Sequence, residues 1–197
     1  MSSSYKEALD AADQSLRIEI EALQNLSKNF QENLGPAIEL VAQSNGMVVL
    51  TGLGKTGLIG AKISATLSST GTPSFFLHAA DSLHGDSGSL RPGDVLIAIS
   101  NSGETAEVVQ ISKMALSLGC KVIAMTRSEE SKLGKIANVV LRVSYETESD
   151  PLNMAPTTST LLALATGDAL AAGLIAYRGF NSADFKLRHP GGALGTA

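Results

Sequence analysis

Tryptophan is absent and cysteine occurs once, at position 120. A single thiol excludes an internal disulfide and any multi-cysteine metal site, so Cys120 is expected to pack as a small apolar side chain. Charge is also scarce: Asp, Glu, Lys and Arg make up 17% of the chain, with a formal net charge of -4. A surface of that sign has no general affinity for nucleic acid or an anionic membrane, and any phosphate must be held by local geometry. The N-terminus, Met1-Ser2-Ser3-Ser4-Tyr5-Lys6, lacks the basic start and apolar core of a signal peptide, which makes a reducing cytoplasm the expected setting. The longest apolar segment, which follows Thr157, is read as too short for a membrane span. It contains Gly167, Asp168 and Gly173 and is expected to be a buried helix. Asp168 within it is read as a satisfied structural carboxylate rather than a catalytic one.

What is present is a globular α/β composition, with 44% hydrophobic residues and 19 glycines in 197 residues. That length fits one domain, 1–197, which buries roughly two-thirds of its unfolded surface. From Tyr5 to Leu34 there is neither Pro nor Gly, and Leu9, Leu16, Leu23 and Phe30 recur every seven residues. One long helix is expected, ending at Gly35-Pro36 and packing its stripe on its own core or on another subunit.

Val48-Val49-Leu50-Thr51 then runs into Gly52-Leu53-Gly54-Lys55-Thr56-Gly57, with a helix expected over Leu58 to Ser69. This is a buried strand, a glycine turn and a helix, the layout of an anion site. A second unit repeats the design: Asp94 to Ile99 is a strand and Ser100-Asn101-Ser102-Gly103-Glu104-Thr105 its loop, followed by a helix over Glu104 to Leu118. Further strands are expected at Ser74 to Leu77, Lys121 to Thr126 and Val139 to Val143, with a short helix from Ser131 to Ile136 and a long one from Thr157 to Tyr177. The βα alternation predicts a doubly wound, five-stranded parallel sheet of order 2-1-3-4-5. Ligands then sit at the switch point between strands one and three, the two that end in the unusual loops.

Two familiar glycine motifs fail here. Gly52, Gly54 and Gly57 fit a dinucleotide fingerprint, but the second strand ends in Leu77 and His78 rather than in the acid that would hold a ribose. A nucleotide P-loop ending in Gly54-Lys55-Thr56 would need its first glycine at position 49, which is Val49. Ser100, Ser102 and Thr105, with Asn101 and Thr56, instead offer neutral donors around a phosphate at a helix N-terminus. A serine-rich helix cap is the simpler alternative, although a cap needs one hydroxyl rather than three.

Together, the glycine turn, the Ser100–Thr105 loop, Ala155-Pro156-Thr157-Thr158-Ser159 and His189-Pro190-Gly191-Gly192 resemble the sugar isomerase (SIS) domain. More narrowly they resemble D-arabinose 5-phosphate isomerases of 3-deoxy-D-manno-octulosonate (Kdo) synthesis. The resemblance implies interconversion of arabinose 5-phosphate and ribulose 5-phosphate through an enediol, without metal or organic cofactor. Such chemistry requires a carboxylate that carries a proton between C1 and C2, donors for the enediolate oxygens and an acid/base for ring opening. The matching positions are Lys55, His84, Glu107, Glu148 and His189. Glu148 is expected to be the proton-transferring base and Glu107 its rival, with Lys55 polarising the oxygens and His189 or His84 assisting ring opening.

Expected substrate contacts are Gly54, Thr56, Gly71, Thr72, Ser100, Asn101, Ser102, Thr105, Thr157 and Thr158. His78 is a candidate contact for sugar or an inhibitory metal, with core packing the alternative. The resemblance further implies a homotetramer whose sites are shared between subunits. Longer members continue into paired CBS domains, and whether this chain is a natural short form or a piece trimmed before such domains is open. Without the resemblance, Glu107 is an ordinary helix residue and Glu148 one charge of an exposed acidic loop. A non-catalytic sugar-phosphate sensor, or an isomerase for another phosphosugar, are the alternative readings. The product's destination is open among lipopolysaccharide, capsule and sugar catabolism.

Overall fold

The structure, a computed structural model, describes residues 3–28 and 30–191. Five parallel strands form one sheet: β1 (Val48–Gly52), β2 (Ser74–His78), β3 (Val95–Ile99), β4 (Lys121–Thr126) and β5 (Val139–Arg142). Their order is β2-β1-β3-β4-β5, as the sequence predicts. Every residue of β1 and β3 is buried, because helices cover both faces and each face must be apolar. Side-chain alternation divides the core. Val95, Ile97 and Ile99 of β3 join Leu50, Ile123 and Met125 in one layer, while Leu96 and Ala98 join Val49, Val122 and Ala124 in the other.

The first layer is covered by α1 (Ser3–Lys28), α2 (Phe30–Gln43), α3 (Lys55–Ser69) and α7 (Thr158–Arg178). The second is covered by α5 (Ala106–Ser117), α6 (Lys132–Ile136) and the short α4 (Ala79–Ser82). The last helix, α8 (Ser182–Arg188), was not expected from sequence. It is held by a capping box in which Asn181 accepts from Ala183 and Asp184 while the Asp184 carboxylate accepts from the Asn181 backbone. Cys120 is buried as expected, with Sγ 3.3 Å from the Arg91 carbonyl.

Three expectations need correction. The N-terminal helix does not end at Gly35-Pro36: Pro36 lies inside α2, which runs on to Gln43. Proline removes one backbone donor there, and burial of the neighbouring Leu34, Ala37 and Val41 outweighs that loss. The heptad stripe is not as a whole the face α1 turns inward either, although Leu23 packs against the core. Leu9, Leu16 and Ile20 are at least half exposed, and the inward face runs through Ala11, Ser15, Ile18, Ala22 and Leu26. The Phe30 side chain and Gly192, which complete the stripe and the final glycine motif, lie outside the described residues.

Finally, α7 is long and apolar enough by composition to cross a membrane, contrary to the sequence reading. Leu162, Leu170 and Leu174 nevertheless pack in the core, against the layer that includes Ile63 and Leu67 of α3. Asp168 is not buried: it pairs with Lys62 of α3 at 2.6 Å and both side chains are about half exposed.

Candidate active site

The strands end together at one rim, and the loops after β1 and β3 lie side by side there, since those strands pair through Thr51 and Ala98. After β1 the chain turns sharply. Gly54 adopts φ +59°, in the left-handed region that favours glycine, and a β-carbon on Gly52 would stand 2.9 Å from the Thr56 backbone. The Thr56 hydroxyl closes the turn, donating to the Leu53 carbonyl at 2.9 Å and accepting from the Leu53 N–H at 3.2 Å. The helix α3 therefore begins at Lys55, three residues earlier than the sequence indicated, and its unpaired first-turn N–H groups face the rim. Lys55 is exposed at that first position.

The loop after β3 is knitted by its own hydroxyls. Ser100 Oγ lies 2.9 Å from Thr105 Oγ1 and accepts the Gly103 N–H at 3.1 Å, while Ser102 Oγ accepts from Glu104 N at 3.2 Å. Ser100 is buried, so it shapes the loop and offers no surface to a ligand; Ser102 is exposed. Thr105 stands at the N-cap of α5 without a side-chain cap bond, leaving the helix's first-turn N–H groups open. Glu107, in that first turn, is half-buried. Beside the loop, Glu104 accepts the Lys132 N–H at 2.9 Å and pairs with its ammonium at 2.8 Å, which holds its carboxyl below the usual carboxylate range.

Glu148 is buried, despite the polar loop around it. Burial pushes its pKa up, but hydrogen bonds from Ser159, Thr157 and Tyr145 outweigh that and leave it below the usual value, so the group is ionised at neutral pH. Its Oε2 accepts from Thr157 N at 2.8 Å, Thr157 Oγ1 at 3.2 Å and Ser159 N at 3.1 Å. These are the free donors at the start of α7, so the carboxylate also caps that helix. Oε1 accepts the Tyr145 hydroxyl at 2.8 Å, and the Ser159 side chain adds a further hydrogen bond to the carboxylate. Tyr145 in turn accepts from the Asn101 amide at 2.7 Å, so the serine loop and the carboxylate are connected through one phenol.

The rest of the acidic loop is rigid. Asp150 accepts from the N–H groups of Leu152, Met154 and Ala155, and Asn153 Oδ1 accepts from Glu148 N at 2.7 Å. Ser149 bonds Glu19 of α1 and accepts from Ser15.

The remaining expected residues divide. His78, directly opposite Gly52 in register, flanks the glycine turn; its Nδ1 is 3.4 Å from Asp81 and has no hydrogen bond. Among the described residues no group of three His, Cys, Asp or Glu side chains is placed to hold a metal. His84 is exposed in the turn after α4, on the same side.

Gly71 and Thr72 are corrected. They precede β2 at the opposite edge of the sheet, where Phe180 covers Gly71 and Thr72 is buried. Thr158 is also fully buried with its hydroxyl unpartnered, and Thr157 is committed to Glu148, so neither is open to substrate.

His189 is likewise remote from its own chain's rim. The helix α7 starts at the rim and at 21 residues is about 31 Å long; from its far end Arg178 donates to the Gly71 carbonyl. Beyond it, His189 stacks on Phe185 with ring centroids 3.8 Å apart, its Nδ1 2.8 Å from the Phe185 carbonyl. Tyr145 is the site residue that sequence reasoning missed. Its only signal was a hydroxylated aromatic just ahead of the acidic loop.

Residues 40–173 match the family model described as the SIS domain. The chain is 46% identical over 187 residues to arabinose 5-phosphate isomerase KdsD of Pseudomonas aeruginosa, covering 95% of this chain and 57% of that protein. It is 47% identical over 183 residues to arabinose 5-phosphate isomerase KpsF of Escherichia coli O6:H1, covering 92% of this chain and 56% of that one. The chain thus spans little more than half the length of these relatives. The E. coli CFT073 protein c3406, solved in complex with arabinose 5-phosphate, superposes with a TM-score of 0.90 at 35% identity, over 96% of this chain and 100% of that one.

Proposed function

The chain belongs to the SIS-domain family, and on that premise we propose that it is an aldose-ketose isomerase interconverting D-arabinose 5-phosphate and D-ribulose 5-phosphate. The observation that carries the reading is Glu148: a buried, ionised carboxylate whose Oε2 accepts from three donors while Oε1 is oriented by the Tyr145 hydroxyl. A base that shuttles a proton between two adjacent carbons needs an ionised carboxylate held in a fixed orientation.

In this reading the phosphate rests between the first turns of α3 and α5, held by backbone N–H groups and Ser102, with the Thr56 hydroxyl closing the turn that presents them. The lysine supports it. A cation at a helix N-terminus opposes the helix dipole, so Lys55 is unfavourable there unless an anion is bound close by. With the phosphate anchored, Glu148 Oε1 removes the proton from C2 and returns it to C1, and Lys55 stabilises the negative charge on the enediolate oxygens. Glu107, half-buried one turn into α5, is the second carboxylate within the same rim. His84 stands on that rim for ring opening.

His189 enters the scheme from a second copy of the chain. Its distance from its own rim and the exposed Leu9, Leu16 and Ile20 on α1 support an oligomer, which we take to be a tetramer with shared sites. Residues 1–197 then act as one isomerase domain in the cytoplasm, feeding Kdo synthesis.

The test is proton NMR of arabinose 5-phosphate with the purified protein in deuterated water and chelator. Ribulose 5-phosphate with deuterium exchanged at C1 or C2 is the expected result. An unchanged spectrum, with phosphosugars bound but not turned over, would move the reading to a sensor.

A further inference from the structure

Asn101 and Tyr145 are 44 residues apart in sequence, yet the amide of one donates to the phenol of the other at 2.7 Å, and that phenol donates to Glu148 Oε1 at 2.8 Å. Both bonds are short and partly buried, since Tyr145 packs partly into the core and Glu148 is buried. The Asn101 end is itself fixed, because its carbonyl accepts from Thr126 Oγ1 at 3.2 Å and Arg127 N at 3.1 Å. The relay therefore joins two rigid bodies: the loop after β3, proposed above to hold the phosphate, and the acidic loop that carries the carboxylate.

We infer that Tyr145 is a positioning residue for the isomerisation, which holds Glu148 Oε1 in register with the phosphate loop. This rests on the isomerase reading above. Tyr145 touches neither phosphate nor reacting carbons; it acts through the two residues it links. Three physical effects combine. The phenol donates to Oε1, the carboxylate oxygen that the backbone donors of α7 do not bond, so it fixes the direction of that oxygen. The Asn101 donation polarises the phenol and makes it a stronger donor to the carboxylate, as neighbouring hydrogen bonds in a chain do. Finally, a charge-assisted bond in a partly desolvated place favours the ionised carboxyl.

The reverse effect is visible on Tyr145, where burial first and the Glu148 bond second push its hydroxyl above the ordinary phenol range. The phenol thus stays protonated and remains a donor. The charged groups around the relay are few. The Arg127 guanidinium stands 5.3 Å from the Tyr145 ring centroid, Glu19 of α1 reaches Ser149, Glu146 next to Tyr145 is exposed, and the first turn of α7 carries no acidic residue.

The test compares the full chain with Tyr145→Phe, which keeps the ring and removes only the hydroxyl. The Glu148 side-chain carboxyl is followed by carbon NMR across pH, its resonance identified by its loss in Glu148→Gln. The expected result is titration at a higher pH in the Phe variant, an acid limb of kcat/KM displaced in the same direction and kcat about tenfold lower. A role confined to packing would leave both titrations in place. Asn101→Ala, which leaves the Tyr145 ring in the core, is expected to move the Glu148 titration the same way by less and to raise KM. An unaltered Glu148 titration in both variants overturns the inference. If the unaltered chain proves inactive on phosphosugars, the isomerase reading falls, and the carboxyl titration still decides whether Tyr145 controls Glu148.

Discussion

Gly167 of α7 lies directly against Ile63 of α3: a β-carbon on Gly167 would stand 2.5 Å from Ile63 Cγ1 and 2.8 Å from Cγ2. Ile63 is fully buried and branched at Cβ, so it has no alternative rotamer into which to retreat. The close approach of these helices carries the start of α7, and with it Glu148, to the rim beside the glycine turn.

Gly167→Ala is therefore expected to destabilise the protein. Alanine favours a helix by up to about 1 kcal/mol, but overpacking costs about 1–3 kcal/mol. A net loss of about 1–2 kcal/mol in urea unfolding is expected; a gain in stability would mean that α3 and α7 separate easily.

Glu148→Gln is expected to lower kcat by about a hundredfold or more, the usual contribution of a positioned acid/base. It also removes a charged acceptor, so folding stability falls by about 1.5–3 kcal/mol at neutral pH. The native carboxyl titrates below its usual range, so its stabilisation is complete above the unfolded-state value and disappears as pH falls through the folded one. Unfolding curves of the two proteins should converge in acid. If they remain equally separated at low pH, the carboxylate charge is not what stabilises the loop.

Two serines two residues apart should behave differently. Ser102→Ala, at an exposed position, is expected to raise KM for arabinose 5-phosphate several-fold with stability unchanged. Ser100→Ala, which removes the buried partner of Thr105 Oγ1 and of the Gly103 N–H, is expected to cost about 1 kcal/mol of stability. Steady-state kinetics and chemical unfolding of both variants check this, and equal effects on KM would place both hydroxyls on the ligand.

Asp168→Asn should matter little. The pair with Lys62 is short, but both side chains are about half exposed, and such pairs contribute less than about 1 kcal/mol. Unchanged kcat is expected in the same assay; a large loss would bring Asp168 into the chemistry.

The sheet was legible because its signals are local. Fully buried parallel strands must be apolar on both faces, so β1, β3 and β4 appear as uninterrupted runs, and β4 occupies the very residues read from sequence. Right-handed crossovers then leave one economical order for five such units. The turn at Gly54 was legible for a similar reason, since a positive φ requires glycine wherever the chain goes next. Misreadings came where tertiary packing overrode a local rule. Proline ends helices as a rule, yet the core retains Pro36 within α2, and Leu9 and Leu16 of the α1 heptad are left open to solvent.

Residue type and spacing specify the sheet order and the glycine and serine loops after β1 and β3, whereas the candidate catalytic residues were named through the family resemblance. Their surroundings came only with the folded chain. A glutamate in a loop of charges carries no mark of burial, and its environment is supplied by Tyr145, Thr157 and Ser159 together with a loop 44 residues upstream of the phenol. Likewise nothing in His-Pro-Gly indicates that a 21-residue helix takes His189 to the far edge of the sheet. The reason is physical: ionisation and reach depend on desolvation and on donors brought from distant parts of the chain, and those exist only after the chain has folded.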